Sequence, residues 1–326
     1  MAVLVTGAAG FIGYHVTEAL LARGEQVVGV DNVNDYYDVR LKEARLARLS
    51  GRNGFSFHRL DISDHERFRT EMSALGTIDR VVHLAAQAGV RYSLDHPFAY
   101  VQANLVGHVA VMELCRHLPD FRHLVYASSS SVYGGNTKLP FAIEDPTDTP
   151  VSLYAATKKA DEHMSHCYSH LYGIPQTGLR FFTVYGPWGR PDMAMYIFCK
   201  AIAAGKPIPV FNHGDMKRDF TYIDDIVAGV LASLDYPPEA AEGKAPHRVY
   251  NIGNHRSEPL MRMIGLIEEA MGKKAEIEFL PMQPGDVKES FADITAISRD
   301  TGYQPTTPID VGVPRFVEWF KGYEGI

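Results

Sequence analysis

The sequence predicts an α/β fold in which helices cover both faces of a doubly wound parallel sheet. Short apolar runs alternate with segments of helical periodicity through the first half of the chain, as in consecutive β–α–β units. The first apolar run, residues 3–6, ends in glycines, and residues 11–23 follow with apolar side chains along one helical stripe. Together these observations predict a Rossmann-type sheet with a smaller C-terminal substrate-binding region.

The other strands are predicted from their apolar runs, at residues 26–30, 55–60, 80–84, 123–127 and 177–182. After residue 183, proline and glycine become frequent and the alternation of strands and helices becomes irregular. We therefore predict a first domain over residues 1–182, which carries the catalytic residues, and a second region over residues 183–326. Within the second region, a segment of about 219–254 is expected to return to the first domain.

Composition excludes several classes of protein. With 326 residues, 46% hydrophobic and 22% charged, the chain can bury a full core. Its net charge of -7 gives no general attraction for nucleic acid or an anionic membrane. The cysteines Cys115, Cys167 and Cys199 form no C-x-x-C pair, which favours a reduced, cytoplasmic setting. No signal peptide and no apolar run of about 18 residues, the length of a membrane span, is recognised.

A glycine-rich turn joins the first strand to the first helix, and it reads Gly7-Ala8-Ala9-Gly10-Phe11-Ile12-Gly13. Gly7 permits the tight turn, Gly10 lets backbone N–H groups approach a pyrophosphate, and Gly13 lets the helix pack closely on the strand. The helix N-terminus adds a partial positive charge. The pattern predicts dinucleotide binding; a plain tight turn is the alternative.

Asp31 follows the second predicted strand. A carboxylate at this place accepts hydrogen bonds from the adenosine ribose and repels a 2′-phosphate, so it predicts NAD as the cofactor, rather than NADP. A role as a helix cap or turn residue is the alternative.

The spacing Gly-x-x-Gly-x-x-Gly resembles the extended short-chain dehydrogenases/reductases, and further matches cover nearly the whole chain. The resemblance implies that Asp61 and Ile62 contact adenine. It implies a cofactor-lining turn after His83 and a structural asparagine at Asn104. The implied cofactor-binding residues are Gly7, Gly10, Phe11, Ile12, Gly13, Asp31, Asn32, Asp61, Ile62, Leu84, Ala85, Ala86, Asn104, Tyr154, Lys158 and Tyr185.

Tyr154 and Lys158 lie four residues apart at the start of a predicted helix, so their side chains share a face. An ammonium group beside a phenol stabilises the phenolate, which can then take a proton from a sugar hydroxyl. A serine run, residues 128–131, precedes them, and by its place Ser129 resembles the catalytic Ser/Thr of the family. The alternative is a core-facing tyrosine and a solvated lysine.

The serine run also distinguishes between reactions within the family. Nucleotide-sugar dehydratases carry Thr-Asp-Glu-Val-Tyr-Gly at this place, and UDP-glucuronate decarboxylases carry Thr-Ser-Glu-Val-Tyr-Gly. Here Ser130 and Ser131 stand where those acids would be. Reversible oxidation at C4, the reaction of 4-epimerases, is what remains.

Four longer stretches, residues 31–38, 88–93, 180–194 and 283–286, resemble the UDP-glucuronate 4-epimerases. The resemblance implies that hydride moves from C4 to tightly bound NAD, that the 4-keto sugar rotates, and that hydride returns to its other face. It implies that a UDP-sugar is contacted by Arg91, Ser130, Ser131, Thr183, Arg190, Phe211, Arg218 and Asp286.

Among these residues, the two serines and Thr183 would hold the sugar carboxylate, and Arg218 would lie at the diphosphate. Phe211 would lie by the uracil and Asp286 by its ribose. Gln283 replaces an arginine that UDP-galactose 4-epimerases carry.

Several alternatives stay open at the level of sequence. The chain could act on UDP-galactose or another nucleotide sugar, or it could sense NAD without catalysis. His163, His166, Cys167 and His170 follow one helical stripe that could bind zinc, although a polar surface is the better interpretation and no metal is predicted. An apolar face of the same helix, with Met164, Tyr168, Leu171 and Tyr172, predicts a homodimer interface or a core face.

Overall fold

The computed structural model describes residues 1–76, 78–283 and 286–326. Its strands are β1 Ala2–Thr6, β2 Gln26–Asp31, β3 Phe55–Arg59, β4 Ile78–His83, β5 His123–Ser129, β6 Gln176–Phe181, β7 Thr183–Tyr185, β8 Ile208–Val210, β9 Lys217–Arg218, β10 Phe220–Tyr222, β11 His247–Ile252, β12 Glu258–Pro259, β13 Ile277–Phe279 and β14 Glu289–Ser290. Its helices are α1 Phe11–Ala22, α2 Val39–Leu49, α3 His65–Ser73, α4 Tyr92–Asp95, α5 Pro97–Tyr100, α6 Gly107–His117, α7 Leu153–Tyr172, α8 Ala194–Ala204, α9 Ile223–Leu234, α10 Leu260–Met271, α11 Thr295–Thr301 and α12 Ile309–Glu324.

The central sheet has seven parallel strands in the order β3-β2-β1-β4-β5-β6-β11. The strand order reverses between β1 and β4, which is the switch point where doubly wound sheets bind their ligands. The predicted fold class is therefore confirmed.

Burial explains why these segments form strands. Every residue of β1 is buried, as expected for a parallel strand that is covered on both faces. Val3 and Val5 point into one apolar cluster, whereas Ala2 and Leu4 point into the other, so alternate residues of one strand supply both cores.

The second half of the chain contributes to the central sheet and also covers its carboxyl edge. Strand β11 pairs with β6 over six residues, and α9 packs against α1. The small sheets β7–β10, β12–β9–β14 and β8–β13 lie outside the central sheet. The site described below lies where these two parts of the chain meet.

One finding departs from the sequence analysis, which expected no apolar run long enough to span a membrane. One continuous helical stretch covers Pro97–His117 and has a mean hydropathy of 1.2. It consists of α5, a π-helical turn over Val101–Val106, and α6. By length and composition alone it meets the requirement for a span. Half of it is buried in the fold, where Val111 and Leu114 pack into the core, as in a core helix.

Candidate active site

The glycine turn connects β1 to α1 at the switch point. Gly7 has a φ of 74°, and a Cβ atom there would lie 2.8 Å from the backbone nitrogen of Ala85. A Cβ on Gly13 would lie 2.0 Å from the Gly7 carbonyl oxygen, so only glycine fits the close contact of helix and turn. Gly10 caps α1 without a side chain, which leaves the N–H groups of the first turn, including those of Phe11 and Ile12, open to an anion.

Asp31 lies at the end of β2, beside this turn. Its carboxylate accepts hydrogen bonds from the backbone nitrogens of Ala9, at 3.1 Å, and Val33, at 2.7 Å. Burial raises the pKa of Asp31, although the charge of Lys42 and these two N–H groups oppose that effect. Each oxygen keeps a free lone pair, so the carboxylate can still accept a ribose hydroxyl.

The predicted adenine contacts lie next to Asp31. The Asn32 side chain donates to Asp61 at 2.9 Å, and the amide and hydroxyl of Ser63 donate to the other Asp61 oxygen. Burial alone would raise the pKa of Asp61, but the hydrogen bonds from Ser63 and Asn32 hold it below its usual value. Ile62 is buried and packs against Gly107.

The turn over Leu84, Ala85 and Ala86 follows β4 and meets the glycine turn, because the Ala85 nitrogen donates to the Thr6 hydroxyl at 3.2 Å. Asn104, in the π-helical turn, accepts from the Gln87 nitrogen at 2.8 Å and donates to the Thr157 hydroxyl at 3.0 Å. It therefore joins the cofactor turn to helix α7.

Helix α7 carries Tyr154 and Lys158. Ser152 caps the helix, since its hydroxyl accepts a hydrogen bond from the Ala155 nitrogen at 3.1 Å. Tyr154 is half-buried, and its ring packs edge-on against Tyr100 with centroids 6.0 Å apart. Lys158 is buried, and its ammonium donates to the Ala127 carbonyl at 2.9 Å and to Asp161 at 3.0 Å.

A pocket of about 160 Å³ lies beside the start of α7. Five predicted substrate contacts from four separate segments line it: Ser130, Ser131, Thr183, Arg218 and Asp286. Its other lining residues are Val90, Gly134, Phe141, Val151, Ser152, Val287 and Ser290. Five hydroxyl-bearing residues, the Arg218 guanidinium and the Asp286 carboxylate thus surround a single space, which suits a polar ligand that carries both hydroxyl and anionic groups.

Ser129 does not line the pocket directly. Its hydroxyl accepts from the Ser131 nitrogen at 3.2 Å and donates to the Ser131 hydroxyl at 3.1 Å, so it caps the 3-10 turn over residues 130–133. Ser129 thereby fixes the direction of the next two serines.

Arg91, Phe211 and Asp286 form a second group, at the edge of the pocket. Arg91 pairs with the Asp286 carboxylate at 3.1 Å, and its guanidinium lies 4.9 Å above the Phe211 ring. Arg91 comes from the first half of the chain and its two partners from the second, so this contact spans the two halves. Pro284 and Gly285, which precede Asp286 in the predicted motif, lie outside the described residues.

Two predicted contacts are placed differently. Arg190 does not line the pocket, because its guanidinium pairs with Asp192, which also accepts from Tyr36. The Tyr185 hydroxyl lies against Gly312 of α12 rather than at the cofactor turn, since its ring packs among Phe220 and Tyr222. The cofactor contact implied for Tyr185 stays a prediction.

Three polar residues of the site were not predicted from the sequence. Ser152 and Ser290 line the pocket, and Asp161 pairs with Lys158. Ser152 directly precedes the helical segment, and a serine at that place is a helix-cap signal. Asp161 lies three residues beyond Lys158, on the same helical face. No comparable local signal marks Ser290.

Known proteins share the sequence pattern of this chain. The sequence pattern of the NAD dependent epimerase/dehydratase family matches residues 3–253. The chain belongs to this family. Among its relatives is UDP-glucuronate 4-epimerase 4 of Arabidopsis thaliana, 49% identical over 331 residues, 98% of this chain and 75% of that protein.

Solved structures of this family are similar along the whole chain. UDP-glucuronic acid 4-epimerase from Bacillus cereus, in complex with UDP-glucuronic acid and NAD, is 36% identical with a TM-score of 0.88, over 99% of this chain and 100% of that one. UDP-glucose 4-epimerase from Thermotoga maritima, with UDP-glucose, is 29% identical with a TM-score of 0.88, over 99% and 100%.

The histidines and cysteine weighed as zinc ligands lie on the outer face of α7, where Cys167 is exposed. Within the described ranges, no group of three His, Cys, Asp or Glu side chains could hold a metal ion. On the apolar face of this helix, Met164 and Tyr168 pack against the core, whereas Leu171 and Tyr172 are exposed.

Proposed function

We propose that this protein interconverts UDP-glucuronate and UDP-galacturonate by transient oxidation at C4 with tightly bound NAD. The observation that carries the proposal is the pocket in which Ser130, Ser131 and Thr183 present hydroxyl groups beside Arg218. Serines occupy both positions where dehydratases of the family carry an acid, and Ser131 occupies the one position where decarboxylases carry theirs. The relatives named for UDP-glucuronate 4-epimerisation support the same substrate.

The residues at the switch point fit NAD. The uncapped N-terminus of α1 suits the pyrophosphate, and the glycines allow the tight turn that precedes it. Asp31 would hold the adenosine ribose, with Asp61 and Ile62 beside the adenine. Bound NAD supplies a hydride acceptor at C4 and gives the hydride back.

The proton at C4 is handled by the protein. Tyr154 is the base that removes the hydroxyl proton and returns it after the sugar has rotated. The buried ammonium of Lys158, one helical turn further, stabilises the phenolate and would contact the nicotinamide ribose. Ser129 would act through Ser131 by fixing the serine turn.

The carboxylate of the sugar sets a second task, because the 4-keto form of UDP-glucuronate is a β-keto acid. Loss of CO2 requires the bond from C5 to the carboxylate to stand perpendicular to the ketone plane. Hydroxyl donors from Ser130, Ser131 and Thr183 would hold the carboxylate out of that orientation. An adjacent carboxylic acid is not needed for this task.

Ser130→Ala and Ser131→Ala should therefore raise CO2 release relative to epimerisation by about tenfold, the effect of one lost hydrogen bond of roughly 1.4 kcal/mol. The products are quantified by proton NMR as UDP-pentose against UDP-hexuronate. Ser128→Ala is the matched control, because the Ser128 hydroxyl donates to Glu162 and faces away from the pocket. Variants that lose activity without releasing CO2 would contradict this role for the two serines.

A UDP-glucose/UDP-galactose 4-epimerase is the second candidate function. The Thermotoga maritima enzyme of that name has the same fold at a TM-score of 0.88, so the fold does not separate the two reactions. Gln283 stands at a place where UDP-galactose 4-epimerases carry arginine, so the chain departs there from the pattern of the second candidate.

The proposal is tested by incubating the purified protein with UDP-glucuronate, without added NAD, and following the products by proton NMR. Conversion to a mixture with UDP-galacturonate, free of UDP-pentose, is the expected result. Faster turnover of UDP-galactose would instead favour the second candidate.

We also propose that the protein is a homodimer and acts in the cytoplasm. Phe98, Leu171 and Tyr172 expose large apolar surfaces on α5 and at the end of α7, where a partner helix pair could cover them. The free cysteines Cys115, Cys167 and Cys199 fit a reducing compartment. Light scattering on the purified protein tests the dimer.

A further inference from the structure

A buried carboxylate lies directly behind the catalytic pair. Tyr154, Lys158 and Asp161 are spaced four and three residues apart on α7, so all three point from one face of the helix. Asp161 is only 1% exposed, and its Oδ2 atom accepts a hydrogen bond from the Lys158 ammonium at 3.0 Å. Its Oδ1 atom is also buried and has no hydrogen-bond partner in the described part of the chain.

Among the residues that the structure describes, Lys158 is the cation that acts on this carboxylate. The next residue, Glu162, pairs with Arg180, whose Nε and Nη2 atoms donate to the two carboxylate oxygens at 2.8 and 2.9 Å. From the neighbouring elements, His83 of β4 and His108 of α6 are buried, and Tyr126 of β5 is neutral below its raised pKa.

The two histidines stay neutral. Burial and the charge of Lys158 lower the pKa of His83 to about 3, and burial lowers that of His108 well below its usual value. Lys158 and Asp161 therefore form a buried ion pair in a region of low dielectric constant, and the charge of Glu162 also acts on Asp161.

We propose that Asp161 is a positioning residue that sets how strongly the Lys158 charge acts on Tyr154, and so sets the pH range in which Tyr154 works as a base. The proposal rests on the epimerase function proposed above. An ionised Asp161 offsets the ammonium and disfavours the phenolate. A neutral side chain at the same place leaves the ammonium charge uncompensated, so the phenolate persists to lower pH.

The test is the pH profile of kcat, measured on NAD-loaded enzyme saturated with UDP-glucuronate. Asp161 lies seven residues beyond Tyr154, about 10 Å along the helix axis. Removing one charge at that distance changes the pKa of a titrating group by about one unit. In Asp161→Asn the acid limb of the profile should therefore move down by about one pH unit, while Asp161→Glu restores the wild-type limb.

The pKa of Asp161 itself is raised by burial to about 6, with Lys158 opposing the rise. The carboxyl is thus ionised above that pH and protonated below it. Wild type and Asp161→Asn should accordingly differ on the part of the acid limb that lies above pH 6 and converge in more acidic solution, where Asp161 is protonated. A merely structural role would lower kcat or stability and leave the acid limb in place.

Coinciding acid limbs in active wild type and Asp161→Asn would overturn the proposal. Absence of wild-type turnover of UDP-glucuronate would overturn the proposed function instead. If Asp161→Asn does not fold, carbon-13 NMR of the aspartate carboxyls replaces it. One carboxyl should then titrate near pH 6 in wild type, and its pKa should rise in Lys158→Met. If no aspartate carboxyl changes its pKa in Lys158→Met, the pairing is overturned.

Discussion

Replacing Tyr154 by phenylalanine is expected to lower kcat by about 10²- to 10⁴-fold, the contribution of a positioned general base. The substitution removes only the hydroxyl, and the ring keeps its contact with Tyr100. Binding of the UDP-sugar and of NAD should therefore be retained. The measurement is turnover of UDP-glucuronate by proton NMR, with bound NAD determined on the same preparation.

Tyr172→Phe is the matched control, because Tyr172 lies on the same helix with an exposed side chain and should keep wild-type turnover. If Tyr154→Phe kept more than about a tenth of the wild-type kcat, Tyr154 would not be the base.

Gly13→Ala is expected to have the largest effect on cofactor retention. The new Cβ would lie 2.0 Å from the Gly7 carbonyl oxygen, and that backbone atom cannot move without displacing the whole turn. We expect a loss of about 1–3 kcal/mol in the free energy of unfolding, typical of overpacking, and purified protein without bound NAD. Thermal unfolding and the NAD content of the purified protein measure the two effects.

Gly265→Ala is the control for this prediction. Gly265 lies within α10, and its Cβ would meet no atom within 4 Å. Alanine should therefore stabilise that helix by roughly 0.5–1 kcal/mol and leave bound NAD unchanged. A Gly13→Ala protein that retained NAD and wild-type stability would refute the steric argument.

The fold and the cofactor end of the site could be predicted because their signals are local. Gly7, Gly10 and Gly13 lie within one turn, and Asp31 ends the next strand, so their spacing alone predicts the contacts. Ser130 and Ser131 follow β5 and Thr183 follows β6, and these two strands are neighbours in the sheet. Parallel neighbours end at the same edge, and for that reason these residues meet.

Other features depend on contacts between distant parts of the chain. Arg91 and Asp286 are 195 residues apart, and no periodicity predicts that they pair. Arg190 matches a family position, yet its pairing with Asp192, which also accepts a hydrogen bond from Tyr36, is a matter of side-chain packing. The spacing of hydrophobic residues likewise does not predict the π-helical turn that joins α5 to α6 within Pro97–His117.

The position of β11 restricts how the chain can be divided. Residues 1–182 contain β6, whose backbone pairs with β11 from Gln176 to Phe181, and every β6 residue is buried. A fragment that ended before β11 would present an unpaired, apolar edge to solvent, the kind of edge that drives aggregation. Chimaeras that exchange the substrate-binding half between relatives would therefore have to keep β11 with the sheet it completes, and their crossovers belong on both sides of that strand.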